Sequence, residues 1–386
     1  MLNEIIDRLE LTSERLRHYV PPRKRLFFKT IPIDQARGAL IYGLRGVGKT
    51  TFLLDTLNRS PKRLLYVSVD HPVLAAVPLY EVVSAIFQRG YEGVLVDEVH
   101  HAHRWSQHIK ALYDDYPSHT IWISDSSNVI LRTAVSDLSR RFLQFRIPLL
   151  SLREYLYLTE GLELEPVDPF HPDSALLKSL KGVNVLQLFH RYFQEGLRPI
   201  FLEGEYCARL KYLVEKSIYY DIPFSLPSFQ GNHLLVMNAI LGHLINAPAP
   251  SLNISGMCSQ WGIGKEKLYH LLYVMEQSEL LHVVRKKNTS AFSKGSKLFL
   301  SDPSIYSCFG GNLGTAREAF IVMSLREKFP VICGSDEEEY DFLVGPYKVE
   351  VGGKRKTPKG SDYILSDNID IPIRNRIPLW VVGMAF

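Results

Sequence analysis

The chain has 386 residues, of which 46% are hydrophobic and 22% charged, and its formal net charge is +4. This composition is ordinary for a globular protein, and the length suffices for two or three domains that each bury a core. The small positive charge permits a nucleic-acid partner but does not indicate one. No apolar stretch is long enough to cross a bilayer, so we expect a soluble, cytoplasmic protein with no membrane partner.

The cysteines are too widely spaced to form a short metal-binding pair. Cys207, Cys258, Cys308 and Cys333 include no CxxC, which predicts neither a zinc ribbon nor a disulfide framework. A reducing cytosol is the compartment that fits this pattern best.

The first part of the chain alternates predicted helices and strands. A charged amphipathic helix comes first, and short apolar runs then alternate with helical patterns up to residue 156. Unbroken apolar strands between helices are typical of a parallel sheet that is covered on both faces. The sequence therefore predicts an α/β fold whose strands lie at 39–44, 63–69, 93–99, 120–126 and 142–150.

The rest of the chain divides into three predicted segments. Apolar residues at three- and four-residue spacing predict helices up to residue 245, and "NAPAPS" then breaks the pattern. Next come a predicted helix, a tight glycine turn, a second helix and a β-wing, followed by a final helix and several strands. We therefore predict a P-loop ATPase domain, a helical lid, a winged helix and a small nuclease-like α/β domain, at residues 1–156, 157–245, 246–305 and 306–386 respectively.

A glycine-rich stretch, "GLRGVGKTT", lies between the first of these strands and a predicted helix. Glycines let the backbone fold around a phosphate with its N–H groups pointing inward, and the helix N-terminus adds positive potential. In such a P-loop the lysine reaches the β- and γ-phosphates, and the hydroxyl after it binds Mg²⁺. We therefore predict ATP binding by Gly43, Arg45, Gly46, Val47, Gly48, Lys49, Thr50 and Thr51.

Two acidic residues end the strand "GVLVDEV". A P-loop needs an acid at the end of a neighbouring strand, and Asp97 is predicted to hold Mg²⁺ together with Thr50. Glu98 is predicted to activate the attacking water as general base, with Lys49 assisting catalysis.

Further candidates follow the acids along the chain. Ser124 or Ser126, at the end of the next strand, is a candidate sensor of the γ-phosphate, although a simple strand-end turn explains them equally well. Arg140 or Arg141 is a candidate arginine finger, acting in its own chain or on another subunit, and a surface basic pair is the alternative.

The histidines near the acids form no pair at the four-residue spacing that places two metal ligands on one helix face. His100, His101, His103 and His108 are therefore interpreted as solvated or capping residues. A transition-metal site is the less favoured alternative, and His100 is close enough to the acids to sense nucleotide.

These segments, in this order, resemble a family of prokaryotic predicted ATPases of the AAA+ superfamily, over nearly the whole chain. "GLRGVGKTT" is similar to the family's P-loop, including Arg45, and "VDEVHHAHRWSQHIKALYD" to its acid motif. "SDSSNVIL" resembles a Gly-Ser-Ser segment in which Asp125 replaces the glycine. "LSRRFLQFRIPLLSLREYL" resembles a further segment, with Arg141 at the family's arginine and Leu149 in place of a proline.

In that family the C-terminal region is interpreted as a winged helix followed by a restriction-endonuclease-like fold. The resemblance implies an acid–acid–lysine site, in which the carboxylates bind Mg²⁺. Asp341 and Glu350 match the acids, and Glu318 is a further candidate. Gly352 stands where the family has lysine, and Lys354 comes two residues late, about 7 Å along a strand. We therefore expect a degenerate nuclease site.

Basic residues on the predicted winged helix suggest phosphate contact. Lys265 and Lys267 begin the second helix, and the wing carries Arg285, Lys286, Lys287, Lys294 and Lys297. A protein-docking module or a solvated face is the alternative to DNA binding.

The sequence thus predicts an AAA+-type ATPase that uses ATP and Mg²⁺ to drive or gate a conformational change, with DNA as the candidate partner of the winged helix. A slow nucleotide-gated switch and an ATP-dependent nuclease with a working Asp341 and Glu350 site are the alternatives. A P-loop kinase or transferase is disfavoured because no acceptor-substrate motif is present. Oligomerisation is open.

Overall fold

The computed structural model of the protein describes residues 2–32, 36–126, 138, 140–225, 231–248, 251–287, 289, 292–293, 295–334, 340–353, 356–357 and 360–386. The chain divides into two compact units. The first is formed by Met1–Pro148 with Phe224–Pro227, and the second by Leu149–Pro223 and Ser228–Phe386.

The first unit contains the predicted parallel sheet. Its strands are β1 (Gly38–Tyr42), β2 (Leu64–Ser68), β3 (Gly93–Asp97), β4 (Thr120–Asp125) and β5 (Leu143–Arg146). In the described residues their order is β2-β3-β4-β1-β5, and neighbouring strands pair in parallel. The predictions of an α/β fold and of a parallel sheet are confirmed.

The register brings the carboxyl ends of the central strands to one edge of the sheet. Ser68 pairs with Asp97, and Tyr42 pairs with Asp125. Side chains at these ends, and the loops that follow them, therefore share one edge although they are far apart in sequence.

Helices cover the sheet of the first unit: α1 (Leu2–Arg17), α2 (Lys49–Arg59), α3 (Leu79–Gln88) and α4 (Trp105–Asp115), with short 3₁₀ turns at Leu26–Thr30, Pro72–Leu74 and Val99–His101. Val82 and Ile86 of α3 and Ile109 and Leu112 of α4 are fully buried in one core with the strands. Each such side chain contributes about 1.5–3 kcal/mol by leaving water.

The second unit is mostly helical and carries two smaller sheets. Its helices are α5 (Leu152–Glu160), α6 (Ser174–Ser179), α7 (Val185–Glu195), α8 (Tyr206–Lys216), α9 (Ile222–Ser225), α10 (Gly231–Asn246), α11 (Ile254–Trp261), α12 (Lys265–Gln277), α13 (Ser304–Cys308), α14 (Leu313–Leu325) and α15 (Leu379–Val382). A 3₁₀ turn lies at Pro199–Glu203 and a π-helical turn at Ser217–Asp221.

Its strands are β6 (Leu281–Val284), β7 (Lys297–Leu300), β8 (Val331–Cys333), β9 (Phe342–Val344), β10 (Tyr347–Gly352), β11 (Tyr363–Ser366) and β12 (Arg376–Pro378). β6 and β7 form an antiparallel pair. The other five, as far as the chain is described, form a mixed sheet in the order β12-β11-β10-β9-β8, in which β10, β11 and β12 are parallel and β8 and β9 antiparallel.

An aromatic cluster fastens α14 to α7. The ring of Phe320 on α14 is fully buried and lies 5.5 Å from Phe189, 6.0 Å from Tyr192 and 5.4 Å from Phe193. These are edge-to-face contacts, which stabilise aromatic pairs by about 0.5–1.5 kcal/mol beyond the area that they bury. These ring contacts hold α14 against α7.

The predicted helix, glycine turn, second helix and strand pair are present as α11, α12, β6 and β7, while their assignment as a winged helix stays a prediction. One of its basic residues is not where the sequence placed it. Lys297 is buried, and its Nζ donates to Glu318 Oε2 at 2.9 Å. The expectation that Lys297 contacts a nucleic-acid phosphate from the wing is therefore wrong. Lys294 lies outside the described residues.

The second unit also contains a disulfide, between Cys207 on α8 and Cys308 on α13. The prediction that the cysteines make no disulfide is therefore wrong for this pair. The two residues are 101 positions apart, and only the packing of α13 against α8 brings them together. Cys258 and Cys333 are not in a disulfide. No helix in the described residues is both long and apolar enough to cross a membrane.

The disulfide predicts a measurable loss of stability on its removal. Closing so long a loop restricts the unfolded chain, so Cys308→Ser is expected to lower the free energy of unfolding of the second unit by about 2–5 kcal/mol. The measurement is urea unfolding without reductant, with Cys258→Ser as the matched control. An unchanged unfolding midpoint of the wild type after reduction would contradict the expectation.

Candidate nucleotide-binding site

The loop between β1 and α2 has the backbone conformation that its glycines permit. Gly43, Gly46 and Gly48 have φ of 147°, 79° and 98°, values that other residues rarely adopt. A Cβ on Gly43 would also lie 2.4 Å from the carbonyl oxygen of Ile147. Glycine is thus required at position 43 by both its backbone angle and the available space. Gly48 directly precedes α2, so the N–H groups of the loop adjoin a helix N-terminus.

Lys49 begins α2, and its side chain turns back to the loop. Its Nζ is buried and donates to the carbonyl oxygens of Gly43 at 2.8 Å and Leu44 at 3.0 Å. Burial lowers the pKa of Lys49, while the neighbouring Glu98 and Asp97 oppose that shift. The ammonium therefore lies within the loop, beside two acids.

Asp97 is almost completely buried, and hydroxyl groups from three elements donate to it. Thr50 Oγ1 and Tyr66 OH donate to Oδ2 at 2.6 and 2.7 Å, and Ser124 Oγ donates to Oδ1. Burial and the adjacent Asp97 raise the pKa of Tyr66, which keeps its hydroxyl protonated as a donor. The carboxylate is thus fixed between α2, β2 and β4.

Tyr66 was missed by sequence reasoning. It lies inside a strand that looks like ordinary core, and only the pairing of β2 beside β3 brings its hydroxyl to Asp97. Once a parallel sheet is predicted, a polar aromatic near the end of a strand is the signal that could have suggested it.

Glu98 occupies a strained position beside the loop. Its φ is 51°, in the left-handed region that non-glycine residues seldom adopt. Arg45 pairs with its two carboxylate oxygens at 3.3 Å each, and Ser126 Oγ donates to Oε1 at 2.9 Å. The sequence predicted each of these residues for the site, and the structure adds that they contact one another.

His100 is buried, which corrects its interpretation as a solvated residue. Its Nδ1 lies 2.9 Å from Asp125 Oδ2 and 3.6 Å from Glu98 Oε2. His101 is exposed, and its ring packs on that of His100 at 4.1 Å. In the described part of the chain, Glu98, His100 and His101 form a group whose ligand atoms lie within 4.8 Å of one another. The less favoured hypothesis of a transition-metal site thus has a geometric basis. Glu98 and His100, however, already contact one another and the neighbouring polar side chains.

His108 caps a helix, which is one of the two roles, solvated or capping, predicted for the histidines. Its Nδ1 accepts a hydrogen bond from the backbone N–H of Tyr80 at 3.1 Å, in the first turn of α3. This satisfies an N–H group that a helix start otherwise leaves without a partner.

Arg141 does not lie near the loop. It precedes β5, whereas the loop follows the opposite end of the neighbouring strand β1, roughly 15 Å along the sheet. Its guanidinium pairs with Asp114, with both nitrogen–oxygen distances 2.8 Å. The expectation that Arg141 acts as an arginine finger in its own chain is therefore wrong, since Arg141 lies at the wrong edge of the sheet. A role on another subunit stays a prediction.

Residues 35–156 match a protein-family model described as an AAA domain. Most of the matched segment lies in the first unit, which also carries the parallel sheet, the glycine loop and the strand-end acids, so the match and these features together indicate an AAA-type domain there. The chain is also 27% identical over 307 residues to an uncharacterized protein of Methanocaldococcus jannaschii, a match that covers 72% of this chain and 64% of the relative. The chain thus spans less than two thirds of that relative's length.

Distantly similar solved structures include an ATPase and a motor protein. A Walker-type ATPase of Pyrococcus abyssi has a TM-score of 0.40 and 15% identity, with 74% of this chain and 94% of that chain covered. The Holliday junction branch migration motor RuvB of Thermotoga maritima has a TM-score of 0.28 and 12% identity, with coverages of 77% and 91%.

The contact between Tyr66 and Asp97 yields a prediction about metal dependence. Tyr66→Phe removes one of the hydroxyls that orient the carboxylate, so the Mg²⁺ concentration needed for half-maximal ATP binding should rise about tenfold. The measurement is a titration of a fluorescent ATP analogue at several Mg²⁺ concentrations. Tyr91→Phe is the matched control, because the Tyr91 hydroxyl bonds to Glu10 elsewhere in the unit. Equal Mg²⁺ dependence in both variants would refute the role of Tyr66.

Proposed function

We propose that the chain binds ATP with Mg²⁺ at the loop Gly43–Thr51 and hydrolyses it. The observation that carries the proposal is the convergence of Lys49, Thr50, Asp97 and Glu98 at one edge of the sheet. Thr50 and Asp97 bond to each other at 2.6 Å, which places two hard oxygen ligands together beside the phosphate loop. Such oxygens fit Mg²⁺, which would neutralise the charge on the β- and γ-phosphates when bound.

Each residue then has a defined part in the reaction. The loop N–H groups and Lys49 hold the phosphates, and Glu98 accepts a proton from the attacking water as general base. The water oxygen bonds to the γ-phosphorus while the bond from that phosphorus to the bridging oxygen breaks. Ser124 donates to Asp97, so we assign it as a positioning residue for the acid in place of a direct γ-phosphate sensor.

Downstream of hydrolysis, we propose that the helical and winged-helix segments of 157–305 change arrangement, with DNA as the partner. Lys265, at the start of α12, and Lys287, after β6, are exposed and support phosphate contact. Arg285 supports it less, because it pairs with Glu276 at 3.3 Å.

A slow nucleotide-gated switch is the second candidate, and one observation favours it. Lys49 is bonded to loop carbonyls and Glu98 to Arg45, so both catalytic groups must exchange partners before they can act. Under the switch hypothesis, this exchange of partners limits the rate of turnover.

The two candidates differ in steady-state phosphate release from ATP. Hydrolysis predicts measurable turnover that Lys49→Ala abolishes together with ATP binding. Glu98→Gln should retain binding and lower kcat by about 10²–10⁴-fold, since it removes the general base. Glu81→Gln, at an exposed position of α3, is the matched control.

Tight ATP binding without turnover in the wild type, with and without DNA, would refute hydrolysis and leave the switch. Turnover that Glu98→Gln leaves unchanged would instead show that another group is the base.

A further inference from the structure

The histidines that follow the acidic pair have no part in the proposed hydrolysis, yet two of them meet Glu98 in space. Glu98, His100 and His101 each bring a potential metal-ligand atom within 4.8 Å of the other two. All three come from one short stretch, since Glu98 directly precedes the 3₁₀ turn Val99–His101. The left-handed backbone of Glu98 begins that turn, so side chains that an extended chain would spread apart lie together.

Two imidazoles and one carboxylate form a ligand set that suits a transition metal better than Mg²⁺. Imidazole nitrogen binds Zn²⁺ and related divalent metals, whereas Mg²⁺ prefers oxygen ligands. Zinc sites with three protein ligands include the combination of two histidines and one glutamate, with a water in the fourth position. The group therefore differs in kind from the neighbouring oxygens of Thr50 and Asp97, which suit Mg²⁺.

His100 is held in the way that metal-binding histidines usually are. Its ring is buried, with Nδ1 2.9 Å from Asp125 Oδ2, and its backbone N–H donates to the same oxygen at 3.3 Å. Asp125 is itself fully buried, which keeps the two residues in register. A carboxylate partner of this kind fixes the orientation of the imidazole and makes it a stronger metal ligand.

His101 is the adjustable member of the group. Bonds of about 2.0–2.2 Å to a tetrahedral zinc ion separate the ligand atoms by roughly 3.3–3.6 Å, so the group has to contract by about 1 Å. The ring centroid of His101 lies 4.1 Å from that of His100, with the two rings tilted by 35°. Because His101 is exposed, its ring can turn toward the other two ligands without disturbing the buried residues.

The existing contacts of Glu98 leave capacity for a metal bond. Arg45 pairs with its two carboxylate oxygens at 3.3 Å each, longer than the roughly 2.7–2.9 Å of a strong charge-assisted hydrogen bond. Each carboxylate oxygen has two lone pairs, so Oε2 can bind a metal while Oε1 keeps the hydrogen bond from Ser126. His100 is already on the Oε2 side, with its Nδ1 3.6 Å from that oxygen.

We propose that Glu98, His100 and His101 bind one Zn²⁺ ion and that this metal inhibits ATP hydrolysis. The inhibition rests on the proposed function, in which Glu98 accepts a proton from the attacking water. A dication on the carboxylate lowers its affinity for a proton, so metal-bound Glu98 no longer acts as general base. The Mg²⁺ ligands Thr50 and Asp97 are not used, so the zinc ion and the nucleotide have separate ligands.

The first test is Zn²⁺ binding by the nucleotide-free full-length chain without a histidine tag, measured by competition with a chromogenic chelator. We expect the affinity for one Zn²⁺ to fall at least about tenfold in His100→Gln and in His101→Gln. His101 is exposed, so its variant tests the site even if substitution of the buried His100 prevents folding. His103→Gln is the matched control, because His103 is an exposed histidine of the same segment that lies outside the group.

Two results of this test would overturn the zinc site. One is no Zn²⁺ binding by the wild type, and the other is binding that His101→Gln weakens no more than His103→Gln does. Co²⁺ in place of Zn²⁺ identifies the ligands by its absorption spectrum. A thiolate charge-transfer band would assign the metal to Cys258 or Cys333 and would also overturn the site.

The second test is phosphate release from ATP at saturating Mg²⁺, with and without one equivalent of Zn²⁺. Zinc should lower the turnover of the wild type at least about tenfold, because it occupies the general base. A chelator selective for Zn²⁺ over Mg²⁺ should restore turnover. His101→Gln, compared with its own zinc-free rate, should resist inhibition, and His103→Gln should be inhibited as the wild type is.

Zinc that binds without lowering turnover would overturn the inhibitory role, and so would equal inhibition of the two variants. Absence of turnover in the wild type would refute the proposed function and the inhibition together. The metal site would still be decided by the first test, which uses no nucleotide.

Discussion

The buried carboxylate of Asp97 is the constraint on which the arrangement of the first unit depends. A charge at 2% exposure is tolerated only if polar groups satisfy it, and here three hydroxyls do so from three different elements. Thr50 can reach Asp97 only if the phosphate loop opens α2 at the edge of the sheet, and Ser124 only if β4 lies between β1 and β3. The strand order therefore brings together the three hydroxyls that satisfy the buried carboxylate of Asp97.

A second layer of contacts surrounds the acids and limits their freedom. Arg45 and Ser126 hold Glu98, while Asp125 orients His100 against its other side. In this position the backbone of Glu98 is left-handed. That conformation costs about 1–3 kcal/mol, which the surrounding contacts must offset. Because Arg45 holds Glu98, an anion that binds the guanidinium in competition would release this carboxylate, and a phosphate is an anion of that kind.

The sequence was sufficient for features whose signal is local. The phosphate loop, the strand-end acids and the parallel sheet follow from short patterns, because glycine geometry and unbroken apolar runs leave few alternatives. Tyr66 and Arg141 were not predictable in the same way, because their partners depend on which strands are neighbours and which end of a strand faces the loop. The Cys207–Cys308 disulfide, 101 residues apart, escaped for the same reason.

The ion pair between Lys356 and Glu350 shows why spacing along a strand is a weak guide to which charged groups meet. A sequence motif gives the positions of backbone atoms, whereas an ion pair depends on where the charged end of the side chain lies. A Cβ on Gly352 would lie within 3 Å of three stem carbons of Lys356, so the stem of this lysine, four residues further along the chain, fills the space beside the glycine. The glycine and the displaced lysine are thus complementary: a larger residue at 352 would clash with the stem of Lys356, and without that stem the space beside Gly352 would be empty. An ammonium therefore lies 2.7 Å from Glu350 although position 352 carries no lysine.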